Sequence, residues 1–394
     1  MRNTVRQIKT FVQKIAQKAE LNAEETALAQ DSIVGISQTG SCKVSDIARA
    51  KNGTQTLRKE TRPLYKALSR KRPGLERLRE TWVRTVAGVA NRMAFIAVDL
   101  SDIFKIHGKD FQYLATVRDA SDPRKWKGPG FNTIQIEATD HRHINLPLWQ
   151  EIFSTACPEY IGWYDTIARA VASVFRHVGR NAVWLFDRGF DAAELFAMLD
   201  VIGIRRWIIR QLQTRNVILE NGTTVLMSDL ASSLSKPFKT TVPYVDKKTH
   251  VMREWPVAFN FVPVRLQDVP GRFWMIVITG LREDMVLLAN FSIRTQKQAE
   301  QIVTAYLRRW AVEEGIRCWK QMTQVEDFRV RNWNAIRRIT FFSMMAYGIQ
   351  ALWLIIKPAM AKRLIKRVKQ FIEIVPFEHY RLWVGVKDAL LKGA

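Results

Sequence analysis

The chain reads as a mixed α/β protein whose two ends are helical, and three observations predict this. Between residues 93 and 212, short apolar runs suited to buried strands alternate with helical stretches. A strand-rich tract follows, punctuated by turn signals at Asn221-Gly222 and Pro270-Gly271. Both ends carry dense Lys and Arg on patterns with helical period.

Charge separates the ends from the middle. The net charge of the 394 residues is +24. Residues 1–85 hold 18 Lys/Arg against 8 Asp/Glu, and residues 329–394 hold 13 against 3, so each end carries +10 and the middle only +4. Nucleic acid is the natural partner for such ends, and an anionic membrane surface is the rival. Ile339 to Ile356 is uncharged and reaches the length of a spanning segment. It contains Ser343, Gly348 and Gln350, and basic residues flank both its ends, so a buried core helix is predicted instead. Cys42, Cys157 and Cys318 are scattered, with neither metal-type spacing nor a disulfide framework, which suits a reducing cytosol. No apolar leader opens the chain, and no Walker-type glycine loop predicts ATP use.

Taken in order, residues 1–30 read as one charged helix with apolar positions at Val5, Ile8, Val12, Ile15 and Ala19. Two short basic helices flank Gly53, as in a helix-turn-helix or a plain bundle. After the Lys71–Gly74 break, Leu75 to Gly88 leads as a helix into the first strand, which ends in Asp99. Two more strands follow, at Phe111–Ser121 and Phe131–Asp140, with turns at Gly108-Lys109 and Pro129-Gly130. Leu148 to His177 reads as a helix, Ala182 to Asp187 as a strand, Ala192 to Gly203 as a helix and Arg205 to Leu212 as a strand. The order is β-β-β-α-β-α-β. A strand-rich tract at 213–291 precedes one long amphipathic helix, Gln296 to Thr323. A basic segment, the apolar helix and a basic amphipathic stretch complete the chain.

On the long helix, at about 100° per residue, Tyr306, Arg309, Glu313 and Lys320 fall within an arc of roughly 60°. A solvated face with intrahelical ion pairs is the plain reading of such a stripe, and Glu314 beside it is expected at the surface. The order Tyr-x2-Arg-x3-Glu-x6-Lys, however, resembles the signature of the Tyr-Arg-Glu-Lys (YREK) group of bacterial insertion-sequence DDE transposases. Asp99 and Asp187, each closing an apolar strand upstream, complete the pattern. The resemblance covers roughly residues 90 to 325.

That resemblance implies an RNase H-like catalytic core (89–212 and 292–328) with a β-rich insertion (213–291), flanked by a helical DNA-binding domain (1–88) and a basic helical C-terminal region (329–394). It implies Asp99, Asp187 and Glu313 as catalytic residues and metal ligands. Three carboxylates with no His or Cys beside them suit two Mg²⁺ or Mn²⁺ ions. It implies DNA contacts from Tyr306, Arg309 and Lys320, with Arg188 as a helper. Members of the group carry a base-stacking Trp on the strand before the signature helix. That strand here reads MVLLANF, so Trp274 and Trp255 are the candidate substitutes. His141 and His143 sit in a polar loop without metal-type partners. The implied function is a cytoplasmic, nucleoid-associated transposase with no membrane association. It would act on double-stranded DNA, at terminal inverted repeats and target, as a homodimer assembled on the DNA ends. A silent DNA-binding inhibitor and a nuclease or resolvase of the same fold are the alternatives.

Overall fold

The computed structural model describes residues 2–51, 57–118, 126–140, 144–179, 181–245, 252–281, 283–368 and 377–392. The first expected helix is two, α1 (Arg2–Lys18) and α2 (Ala23–Thr39). The break has a local cause. Asn22 Oδ1 accepts from the Glu25 N–H while Glu25 Oε2 accepts from the Asn22 N–H, a capping box that starts a new helix. Next come α3 (Val44–Lys51), α4 (Leu57–Ser69) and α5 (Pro73–Ala90), the last opened by a proline whose missing N–H costs nothing there. Gly53, the expected break between two of them, lies outside the described residues.

The core sheet begins with β1 (Phe95–Phe104), β2 (Ala115–Arg118), β3 (Lys127–Thr139) and β4 (Asn145–Phe153). Pro129-Gly130, expected in a loop, lies inside β3. A Cβ at Gly130 would come within 2.6 Å of the Ile103 carbonyl oxygen and of Val117 Cγ2, so glycine lets three strands approach. The expected helix from Leu148 to His177 divides into β4 and α6 (Trp163–Phe175). Every residue of β4 is buried, which removes the polar alternation that would have marked a strand. Pro147 sits where β4 shifts register against β3, between Ile136 and Glu137, a bulge that tolerates a residue without an N–H. Then come β5 (Val183–Phe186), α7 (Ala193–Ile202) and β6 (Trp207–Arg210). β1 pairs antiparallel with β3 and parallel with β5, and β5 pairs parallel with β6. The expected order thus holds with one strand, β4, added.

Residues 213–291 supply β7 (Asn216–Ile218), β8 (Thr224–Leu226), the unexpected short helix α8 (Met227–Ser233), β9 (Phe238–Val245), β10 (Met252–Leu266), β11 (Phe273–Thr279) and β12 (Met285–Ala289). β12 pairs with β6, so these strands extend the central sheet to twelve among the described residues. The long signature helix is also two, α9 (Gln296–Leu307) and α10 (Trp310–Thr323), with the break at Arg308 and Arg309.

One face of the sheet buries Ala97, Leu185, Ile208 and Leu287 against Ile302, Val303, Val312 and Ile316 of α9 and α10. The other face joins the larger core, which runs without interruption into the terminal helices. That core is built around α11 (Trp333–Ile356), followed by α12 (Pro358–Lys366) and α13 (Glu378–Leu391). α11 is the one helix among the described residues long and apolar enough to cross a membrane, and nearly all of it is buried in the fold. Buried polar ties fix it. Arg338 donates to the Leu68 carbonyl at 2.7 Å, and Ser343 Oγ accepts from Trp319 Nε1 at 2.9 Å. On α13, Lys387 reaches the Thr39 carbonyl at 2.8 Å, so N- and C-terminal helices are bound together.

Gly348 tests this packing. Mid-helix Gly→Ala normally stabilises by about 1 kcal/mol. A Cβ at Gly348 would lie 2.5 Å from Trp82 Cζ2 and 3.1 Å from Pro147 Cγ. Gly348→Ala should therefore destabilise, by about 1–3 kcal/mol in urea unfolding. A stabilised variant would mean that α5 and α11 are not packed this closely.

Candidate active site

Three elements bring three carboxylates together. Asp99 is mid-strand in β1, on the face covered by α9 and α10. Val98 pairs with Phe186 across the parallel ladder, so the next step brings Asp187, just past β5, level with Asp99. Glu313 stands in the first turn of α10. All three converge on one guanidinium. Arg309 Nη1 lies 3.5 Å from Asp99 Oδ2, and Nη2 lies 3.6 Å from Asp187 Oδ1 and 2.5 Å from Glu313 Oε1. Side-chain exposure rises from 16% at Asp99 to 38% at Asp187 and 45% at Glu313, so the site opens to solvent from the Glu313 side.

Burial and charge split the acids. Burial pushes Asp99 up to about 7; Arg309 opposes the shift, and Glu313 and Asp187 reinforce it. Burial also acts on Asp187, yet Arg309, the Arg188 backbone N–H, Arg210 and the Arg188 charge together hold it below the ordinary carboxylate range. Despite its own burial, Arg309 is held well above the usual guanidinium range by Tyr306 and the three acids.

The stripe is solvated only in part: Glu313 is exposed and forms the expected intrahelical pair with Arg309, while Tyr306 and Arg309 are buried. Tyr306 is buried and donates to the Phe186 carbonyl at 3.3 Å and to Asp187 Oδ1 at 3.5 Å. Lys320 donates to the Asp102 carbonyl and pairs with Glu326 at 2.9 Å, tying the far end of α10 to β1. Arg188 is exposed beside Asp187. Glu314, expected at the surface, is buried, because its pairing with Arg317 at 2.8 Å and a hydrogen bond with Tyr380 hold it inside. Trp274 packs against Phe261 and Arg272 on β11, and Trp255 is largely exposed on β10, donating to the Gly280 carbonyl. The structure brings neither tryptophan to the carboxylates. His141 and His143 lie outside the described residues.

Two residues escaped the sequence reading. Arg210 closes β6 one step past the Phe186–Ile209 pair, which places it beside Asp187. The signal was a basic residue ending a strand that neighbours one ending in Asp. Glu137 is fully buried on β3, in the alternating series Thr133, Gln135, Glu137, Thr139.

The donor set is entirely hard oxygen, which suits Mg²⁺ or Mn²⁺. Among the described residues no group of three acids, His or Cys is drawn together around a single metal-sized point. The acids instead surround Arg309, so a cation and the guanidinium would compete for the same oxygens.

Residues 162–349, just under half of the chain, match the family model described as transposase DDE domain. The match supports a DDE transposase family and, with the sheet order above, an RNase H-like core. It spans Asp187 and Glu313 and begins after Asp99. No curated protein matches the chain.

The raised Asp99 has a consequence for stability. Its carboxyl binds a proton more tightly in the folded chain, near 7, than at its ordinary value of 3.8, so the folded state loses stability as pH rises across that window. Asp99→Asn removes the loss. With EDTA present, the variant's stability relative to wild type should climb between pH 4 and 7, by on the order of 2–4 kcal/mol. A difference that stays flat with pH in urea unfolding would show that Asp99 ionises as it does in the unfolded chain.

Proposed function

We propose that this chain is a transposase that binds the ends of its mobile element, cleaves there and joins the freed 3′ ends to target DNA. The observation that carries the reading is the convergence of Asp99, Asp187 and Glu313, from two strands and a helix, on one buried guanidinium. Two Mg²⁺ or Mn²⁺ ions, when bound, would activate the attacking oxygen and neutralise the departing one. Asp99, Asp187 and Glu313 would hold them. Asp187, kept ionised by its cationic neighbours, is ready to act as a donor at neutral pH. Asp99 anchors the deep side of the site, and Glu313 faces solvent, where DNA enters.

Arg309 has two tasks in this reading. It neutralises three close acids that would otherwise repel one another. Its planar fork also suits a phosphate, which it could hold with two hydrogen bonds. Tyr306 holds the end of β5, and with it Asp187. Lys320 fixes α10 from its far end, while Arg188 and Arg210 line the approach beside Asp187. The basic ends, each at +10, supply DNA affinity beyond the site, and two copies assemble on paired ends. The same three acids would also serve a nuclease or resolvase, and strand transfer into a target plasmid separates those readings.

Single Ala substitutions at Asp99, Asp187 and Glu313 should each abolish Mg²⁺-dependent cleavage while leaving DNA binding largely intact. A variant that cleaves at the wild-type rate would remove its residue from the set. Arg309→Gln should act in opposite directions on two measurements. Mn²⁺ affinity, followed by electron paramagnetic resonance, should rise because the competing cation is gone. Cleavage should fall by about 10- to 150-fold, the equivalent of losing about 1.5–3 kcal/mol of hydrogen bonding to a charged group. Unchanged Mn²⁺ affinity would rule out competition at the carboxylates.

A further inference from the structure

The helix that carries Glu313 rests on a polar floor. Thr133, Gln135, Glu137 and Thr139 alternate along β3, so their side chains share one face, and all four are buried. Asp99 pairs with Gln135 and Ala97 with Glu137, so this is also the face of Asp99. Each of the four has a buried side-chain atom with no hydrogen-bond partner in the protein, and at Glu137 both carboxyl oxygens are in that state. Glu137 lies at the bulge where β4 shifts register against β3.

α10 meets this floor at two points. Asn145 Nδ2 donates to the Ala311 carbonyl. One turn on, a Cβ at Gly315 would lie 2.6 Å from Glu137 Oε2 and 2.7 Å from Asn145 Nδ2, so only a glycine lets the helix settle onto these two side chains. Residues 311 and 315 share one side of the helix, and residue 313, two from each, projects from the opposite side. Any shift at the floor is therefore carried through the rigid helix to the carboxylate of Glu313.

We propose that Glu137 is a positioning residue for the reaction centre, seating α10 together with Asn145 through the gap at Gly315 and setting the reach of Glu313 toward Asp99 and Asp187. Glu137 does this as a neutral acid working with enclosed water, because the Asn145 amide, which also donates to the Ala311 carbonyl, is too little to offset the burial of an ionised carboxylate there. The titratable groups that face it are Asp99 on β1, Cys318 on α10 and Tyr347 on α11, and none is a cation. Burial, and then Asp99, push its carboxyl well above the ordinary range. The inference rests on Glu313 being a metal ligand, as proposed above.

The experiment uses the full chain with Gly315→Ala, Glu137→Gln, Glu137→Ala and the double variant Gly315→Ala/Glu137→Ala. Mn²⁺ affinity is read by electron paramagnetic resonance, and seating of α10 by amide hydrogen exchange in EDTA. Gly315→Ala should weaken Mn²⁺ binding about tenfold or more and reduce α10 protection, although alanine is the better helix former. The added methyl clashes with the Glu137 side chain, so removing that side chain should restore part of the loss, and the two effects should not add. Glu137→Gln should stay within about threefold of wild type, while Glu137→Ala loses about tenfold. Wild-type affinity and protection in Gly315→Ala, or purely additive losses in the double variant, would overturn the seat. A Gln variant as impaired as the Ala variant would overturn the neutral acid. If Gly315→Ala does not fold, the Gln and Ala variants at position 137 decide alone, and wild-type behaviour of Glu137→Ala overturns the proposal. A wild-type chain that binds no Mn²⁺ would reject the metal reading of the three acids. Exchange protection would then still decide the seat, through its loss in Gly315→Ala and its recovery in the double variant.

Discussion

The structure depends on one arrangement, a single guanidinium enclosed by three carboxylates. Three acids this close repel one another, and burial already pushes Asp99, the deepest of them, toward its neutral form. Arg309 resolves the conflict, and its position dictates much around it. It stands at the break between α9 and α10, so the regular helix is interrupted where the charge must be delivered. Tyr306, one turn earlier, packs its ring 5.8 Å from the guanidinium and turns its hydroxyl to the end of β5. Glu313, one turn later, receives the shortest of the three contacts. The signature spacing is thus the spacing of one buried cation with its supports on either side.

Much of this was legible in the sequence, for definable reasons. Asp99 and Asp187 each follow an apolar run, and strands buried on both faces announce themselves by composition. The spacing of Tyr306, Arg309, Glu313 and Lys320 placed them on one stripe, which the helical period alone supplies. Periodicity could not say which way the stripe points. It marked the charged face as the wet one, yet here Arg309 is buried against Asp99 while Glu313, on the same stripe, stays exposed. Glu314 was misplaced for the same reason, since its partners Arg317 and Tyr380 come from α10 itself and from α13, and the second is remote in sequence.

The misread elements share a different cause. β4 is buried on every side, so it lacks the alternation by which a half-buried strand is recognised. The capping box at Asn22 and Glu25 is written in the sequence, but the apolar period from Val5 to Ala19 by itself does not mark where a helix ends. Glu137 was invisible because its meaning depends on Gly315 and Asn145, far away in the chain and adjacent only once α10 lies on the sheet.

The ties between the two ends of the chain bear on how it is made. α2 packs against α11 and α13, and Thr39 accepts its hydrogen bond from Lys387. A ribosome releases the N-terminal helices long before residues 333–392 exist, so their apolar faces wait for partners until synthesis is nearly finished. β1 through β12 and α10 are complete by residue 323, although the face of β4 waits for α11 as well. The basic N-terminal region therefore gains its final support last, after α10 has been synthesised. A nascent chain stalled before α11 would expose the surface on which the finished protein is closed.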